Sequence, residues 1–365
     1  QDGRAGGVLA PELGFAWRKH GVSVRLGLPI RLDPIDGAEI GGVRDASDAL
    51  RFVREVRVGV RDADLEFAFQ RERAYRLGAG GVVRDYAPLF GAQLIPGLGT
   101  RGAPLAGYAH VRVDALESQL LVDDVAAPGV VGAAAALHLP RGFGVQTTGA
   151  VDLRTADDRD LYAARASGFF RSPADRVLQL EVDAGGGMSG LGGDRAGSFD
   201  AEATLRVRFG DRYANLVGFG GRFGYAFDGG LWDVFGPTYA AARAPTAAAF
   251  GAAGGRPLGG GHVLLRLGPL ESSVRYHQAI DGDAGPLDRT VEIAARLADL
   301  PLAGTRTLSL RGGYAARAPF SATDRVDVAY ARLGIRLTKL LSLEGYGLMG
   351  DAWEGGTTLR FAWTW

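Results

Sequence analysis

Apolar and polar residues alternate with a period of two along most of this chain. From Phe199 to Phe209 the odd positions are apolar, while the even ones carry Asp200, Glu202, Thr204, Arg206 and Arg208. Residues 143–154 repeat the pattern, with Val145, Val151 and Leu153 set against Gln146, Thr148, Asp152 and Arg154. So do Val291, Ile293, Ala295 and Leu297 against Glu292 and Arg296. At the C-terminus Leu359, Phe361, Trp363 and Trp365 alternate with Thr358, Arg360, Ala362 and Thr364. Strict alternation marks a strand with one apolar and one polar face. Helical spacing, with apolar residues at i, i+3 and i+4, is sustained nowhere. The pattern predicts nineteen strands: 9–19, 22–32, 50–61, 65–76, 104–114, 117–125, 130–139, 143–154, 161–171, 176–186, 198–209, 213–225, 261–268, 271–280, 288–299, 305–316, 326–338, 341–350 and 357–365.

The connectors alternate in length. Short ones such as Pro140-Arg-Gly142, Gly210-Asp-Arg212 and Gly268-Pro-Leu270 are interleaved with longer ones at 77–103, 155–160, 187–197, 226–260, 281–287, 317–325 and 351–356. Tight turns at one end and long loops at the other are the pattern of an up-and-down barrel in an outer membrane. A closed barrel of this many strands is too wide for side chains to fill, so its interior is wet, plugged or occupied by loops. Charge concentrates on the polar faces, at Arg112, Glu181, Asp183, Asp200, Arg296 and Arg311 among others. The expectation is one all-β domain over 1–365, an antiparallel up-and-down transmembrane barrel with long extracellular loops at 77–103 and 226–260. Strand parity favours an even count with both termini at one end. Counted back from Trp365, residues 22–32 complete eighteen strands and leave 9–19 over, in the lumen or as a misread segment; sixteen strands is the alternative.

Composition narrows the function classes. The chain has 41 basic and 41 acidic residues, no cysteine and 57 glycines among 365 residues. Balanced charge argues against a nucleic-acid partner, and the missing cysteines exclude disulfides and thiolate-bound metals. Lys19 and Lys339 are the only lysines, so positive charge is almost entirely arginine. No run of eighteen apolar residues exists to form a transmembrane helix. The start at Gln1-Asp2-Gly3 suits a chain whose signal peptide has been removed, and equally a trimmed piece.

The strand ending in Phe361, Trp363 and Trp365 resembles the C-terminal strand of Gram-negative outer-membrane β-barrel proteins. In that family an aromatic end, most often phenylalanine, is read by the barrel-assembly machinery. Fainter likenesses, at Pro11-Glu-Leu13, Leu50-Arg-Phe-Val-Arg-Glu-Val-Arg57 and Leu121-Val-Asp-Asp-Val125 with Pro128 and Gly132, resemble segments of uncharacterised predicted outer-membrane proteins. These resemblances imply location in the outer membrane of a Gram-negative cell, with lipid and the assembly machinery as partners. They carry no site residue across.

Candidate chemistry is sparse, and no enzyme, cofactor or metal site is expected. His110 and His138 sit on polar strand faces, read as lumen-wall residues in preference to a metal site. Ser273 and His277 share a face but lie about 13 Å apart along a strand, too far for a dyad. Asp123-Asp124 reads as a strand rim. Arginine is more informative. Inward positions of the last third include Arg266, Arg275, Arg296, Arg311, Arg332, Arg336 and Arg360, with Glu292 and Glu344 as the main acidic ones. Earlier strands offer Glu117, Asp152, Glu181, Asp183, Asp200 and Glu202, so a basic wall would face a mixed to acidic one, resembling the transverse field of general porins.

Two connectors are too apolar for ordinary surface loops. One contains Tyr86, Leu89, Phe90, Leu94 and Ile95, the other Trp232, Phe235, Phe250 and an alanine-rich stretch suited to a short helix. Either they meet and constrict the lumen, or they dock other envelope proteins. Two functions follow: a porin-like channel for small polar or anionic solutes, or a structural barrel within a secretion, motility or export complex.

Overall fold

The structure is a computed structural model. It describes the chain except residues 1–6, 18–20, 28–29, 34–36, 41–51, 61–64, 71–74, 85, 87–104, 155–159, 174–175, 211–214, 228–233, 237–238, 240–254, 280–288, 303, 305, 321–324, 350–352 and 365. In chain order the strands are β1 (Gly7–Trp17), β2 (Val22–Gly27), β3 (Ile30–Asp33), β4 (Gly37–Ile40), β5 (Val53–Val60), β6 (Leu65–Gln70), β7 (Ala106–Val113), β8 (Leu116–Val122), β9 (Val130–His138), β10 (Phe143–Asp152) and β11 (Leu161–Arg171). They continue with β12 (Leu178–Leu191), β13 (Asp194–Phe209), β14 (Asn215–Ala226), β15 (Arg256–Leu267), β16 (Leu270–Ala279), β17 (Thr290–Pro301), β18 (Thr307–Arg317), β19 (Val326–Arg336), β20 (Leu341–Met349) and β21 (Trp353–Thr364). Pro140–Gly142 forms a short 3-10 turn, and no α-helix occurs among the described residues.

All strands belong to one sheet. β2 pairs with β5, and from β5 to β21 each strand pairs antiparallel with the next. That course, β2 plus β5 to β21, is the eighteen-strand up-and-down order read from the sequence. The leftover segment 9–19 is not in the lumen. It is β1, inserted in the wall between β2 and β21. β1 runs antiparallel to β2 and β3 in one continuous register and parallel to β21, with Leu9 opposite Thr357 and Ala16 opposite Thr364. Direction can alternate all the way round a ring only for an even count, so a nineteenth strand forces one parallel pair. β3 continues the line of β2 along β1 and forms a hairpin with β4.

The two faces of the wall differ in the opposite sense to a soluble protein. On β14 the exposed Phe219 (51%) and Phe223 (55%) flank Arg222, which is 4% exposed. On β10, Phe143 and Val145 are exposed, whereas Gln146, Thr148 and Asp152 are buried. Exposed Leu120, Leu137, Phe199, Val263, Val274, Ile293, Leu310 and Leu333 continue the apolar outer face around the ring. Alternation explains this directly, because residues two apart point to one side of a strand. The polar set points inward, where it is shielded.

One connector expected to be long is absent. Residues 187–197 are strand on both sides of a two-residue turn at Gly192-Gly193, because β12 and β13 run on to Leu191 and Asp194. Gly192 adopts φ +60°, the left-handed backbone such a tight hairpin turn uses. The expected helix in 239–253 falls almost wholly outside the described residues.

The β1–β21 seam is directly testable, since the chain has no cysteine to interfere. Leu13 and Phe361 lie opposite each other across it, both exposed on the outer face. With L13C and F361C together, a short thiol cross-linker is expected to link the two ends and change the mobility of the denatured chain. No link would mean that the ring is open here.

Candidate functional site

The two apolar connectors enter the space inside the ring and meet there. The first folds back on itself: Tyr75 and Tyr86 exchange backbone hydrogen bonds at 2.8 and 2.9 Å, and Leu77 N–H donates to the Val83 carbonyl at 3.1 Å. The second lies alongside it, as Arg84 N–H donates to the Phe235 carbonyl and Phe235 N–H to the Val82 carbonyl, at 3.1 and 3.2 Å. Rings lock the pair: Tyr86 stands 6.2 Å from Tyr239, and Phe235 packs edge-on to Tyr239 at 4.8 Å. Leu77, Val83, Tyr86 and Phe235 are fully buried, against Leu121, Ala134, Ala150 and Leu161 on inward positions of β8 to β11. The wall is built of small residues here, which leaves room for the insert.

Polar contacts pin this plug to the wall. Gln119 and Gln146 accept from the backbone N–H groups of Gly78 and Ala79 at 2.9 and 3.0 Å. Tyr86 donates to Asp123 at 3.0 Å, and Tyr239 donates to Asp152 at 2.7 Å. Arg84 reaches Glu202 on β13 at 2.6 Å. Asp123 and Asp152 are buried at the long-connector end of the ring, which places the plug in that half. Asp123, read as a rim residue, therefore holds the plug as well. Of the residues singled out for constriction, Tyr86 and Phe235 are in the plug. Leu89, Phe90, Leu94, Ile95, Trp232 and Phe250 lie outside the described residues.

Beyond the plug lies a cavity of about 810 Å³ bounded by inward residues of β11 to β19. Charges on the inner wall, around the cavity and next to it, are matched in pairs, some directly opposite and some diagonal across strands. Arg275 meets Glu292 at 2.8 Å, Arg266 meets Glu271 at 3.1 Å, Arg332 binds Glu344, and Arg336 stands 3.7 Å from Asp299. On the facing side Arg165 bridges Asp183 and Asp200, Arg222 meets Asp200 at 2.8 Å, and Arg206 meets Glu181 at 2.7 Å. The expected contrast between a basic and an acidic wall is thereby largely cancelled. Reading charge strand by strand missed this, because neutralisation depends on which residues face each other across strands. Arg165, Arg222 and Glu271 were missed for the same reason, and Arg84 because it lies in a connector, where no alternation marks an inward position.

Two of the seven arginines differ. Among the described residues neither Arg296 nor Arg311 has a carboxylate partner; Arg311 lies 5.8 Å from the Tyr330 ring centroid. They face each other on β17 and β18, and Arg311 in turn faces Arg332 on β19. Arg360 occupies β21 opposite Ser342, and its side chain is outside the described set, as are those of Trp363 and Trp365. Phe361 is exposed on the outer face.

His110 and His138 are joined through Glu117, on the strand between theirs, at 3.3 and 2.8 Å. Gln119 also donates to that carboxylate, at 2.8 Å. No cluster of three or more histidines and carboxylates suited to a metal ion occurs among the described residues. Compared with known proteins, the sequence matches no family model and no curated relative.

Proposed function

We propose that this protein is a porin-like channel of a Gram-negative outer membrane, passing small polar or anionic solutes through a lumen narrowed by its plug. The observation that carries the reading is the inverted wall, with bulky apolar side chains outside and charged ones inside. Soluble monomers rarely expose contiguous apolar patches beyond a few hundred square ångströms. Each Leu, Phe or Ile kept in water forgoes about 1.5–3 kcal/mol of burial. A ring of them gains that energy in lipid, where closed pairing also satisfies the backbone. The exposed Phe361 on the last strand suits recognition by assembly machinery, alongside Trp363 and Trp365.

The plug favours a channel over a docking barrel, because Val83, Tyr86, Phe235 and Tyr239 are spent on each other and on the wall. The test is twofold. The protein is expected to stay with membranes through alkaline carbonate extraction, and in planar bilayers to give discrete conductance steps. Release by carbonate would end the membrane reading. Membrane retention with no conductance, together with fixed co-purifying partners, would favour the structural barrel.

A further inference from the structure

We propose that Arg296 and Arg311 form a binding station for a divalent oxyanion of the phosphate type on the inner wall. The register sets up a tier across neighbouring strands: Arg266 faces Glu271, Glu271 faces Arg296, Arg296 faces Arg311, and Arg311 faces Arg332. The tier's one carboxylate, Glu271, lies within ion-pair distance of Arg266 and not of Arg296, and Arg332 at the far end is bound by Glu344. Arg275, on the tier beyond, has Glu292. Two cations are therefore left adjacent with nothing to neutralise them among the described residues.

The surroundings leave space at this place. The next inward positions on β16, β17 and β18 are Ser273, Ala294 and Gly313, which face one another in one row. All three are short and line the cavity, as does Arg311. At Gly313 a Cβ would lie 2.6 Å from the Tyr330 ring, so that ring rests on the glycine and closes one side. Adjacent strands are about 4.8 Å apart, so two guanidinium groups on directly opposite residues can grip one tetrahedral anion. Arginine forks match phosphate oxygens in pairs. The charge of two cations is met by one dianion, and not by one chloride.

The station deepens the channel reading and rests on it for the route by which a solute arrives. Binding is measured apart from conduction, so the two can fail separately. Inorganic phosphate is titrated by calorimetry into the full chain in detergent, beside R296Q, R311Q and R141Q. Arg141 sits exposed in the turn before β10 and serves as the control. Removing one of two facing like charges relieves repulsion, so R296Q and R311Q are expected to fold, which circular dichroism checks. The expected result is saturable phosphate binding that weakens tenfold or more in R296Q and in R311Q, and is unchanged in R141Q. Chloride at equal ionic strength is expected to leave it intact. Equal competition by chloride, or phosphate binding unaffected by both substitutions, overturns the station. Normal conductance with no phosphate binding overturns it while sparing the channel. Binding lost as expected in a barrel that never conducts upholds the station and removes the channel.

Discussion

Excising residues 228–254 is expected to raise single-channel conductance several-fold. The cut removes Val234, Phe235 and Tyr239, and with them the backbone bridge to Val83 and the Tyr239–Asp152 hydrogen bond. It leaves the wall intact, because Ala226 already faces Arg256 across β14 and β15. Phe227 and Gly255 then form a two-residue connection, and glycine in such a turn tolerates the left-handed backbone it requires. The first half of the plug keeps its contacts to Gln119 and Gln146 but loses the partner that buries Val83 and Tyr86. F235A is the milder form. Truncating a buried phenylalanine costs about 3–5 kcal/mol, enough to loosen the insert without removing it, so noisy, intermediate conductance is expected. Planar-bilayer recording decides. Unchanged conductance after the excision would mean that the plug is not the constriction.

The strands were legible because a half-buried strand writes its two faces into alternate residues. Where that contrast fades, legibility ended. Gly185-Gly-Gly187 and Ser189-Gly190 carry no alternation, so β12 and β13 looked shorter than they are. β1 was recognised as a strand, but its place in the ring was not, since periodicity reports faces and not partners. The plug announced itself as apolar residues in connectors. The receiving surface did not, because Ala134, Ala150 and Ala163 read as weak wall positions until neighbouring strands are aligned. The same holds for charge. Arg296 and Arg275 look alike along the chain, and each faces a carboxylate on the next strand; only the contacts show that Glu292 pairs with Arg275 while Glu271 pairs with Arg266 and leaves Arg296 beside a second arginine.

Replacing Arg165 is expected to cost far more stability than replacing any exposed arginine of the same wall. Arg165 lies beneath the plug with its side chain 7% exposed. Its Nε donates to Asp200 at 2.8 Å, and its far end binds Asp183. Asp200 is shared with Arg222, and Asp183 also accepts from Gln146 at 2.7 Å and Ser167 at 3.0 Å. The plug rests on this side chain, since a Cβ at Gly81 would lie 2.5 Å from its Cδ. In R165A both carboxylates lose a cation in a place with little water, which costs about 3 kcal/mol for a buried pair. The Arg266–Glu271 pair is nearly half exposed on both sides, and there R266A is expected to cost less than about 1 kcal/mol. R165M separates charge from packing, because it keeps the apolar stem. If the cation is what matters, R165M will melt nearly as early as R165A when unfolding in detergent is followed by circular dichroism. If R165M matches the unsubstituted chain, the stem and not the charge supports the plug, and the ion network is energetically neutral.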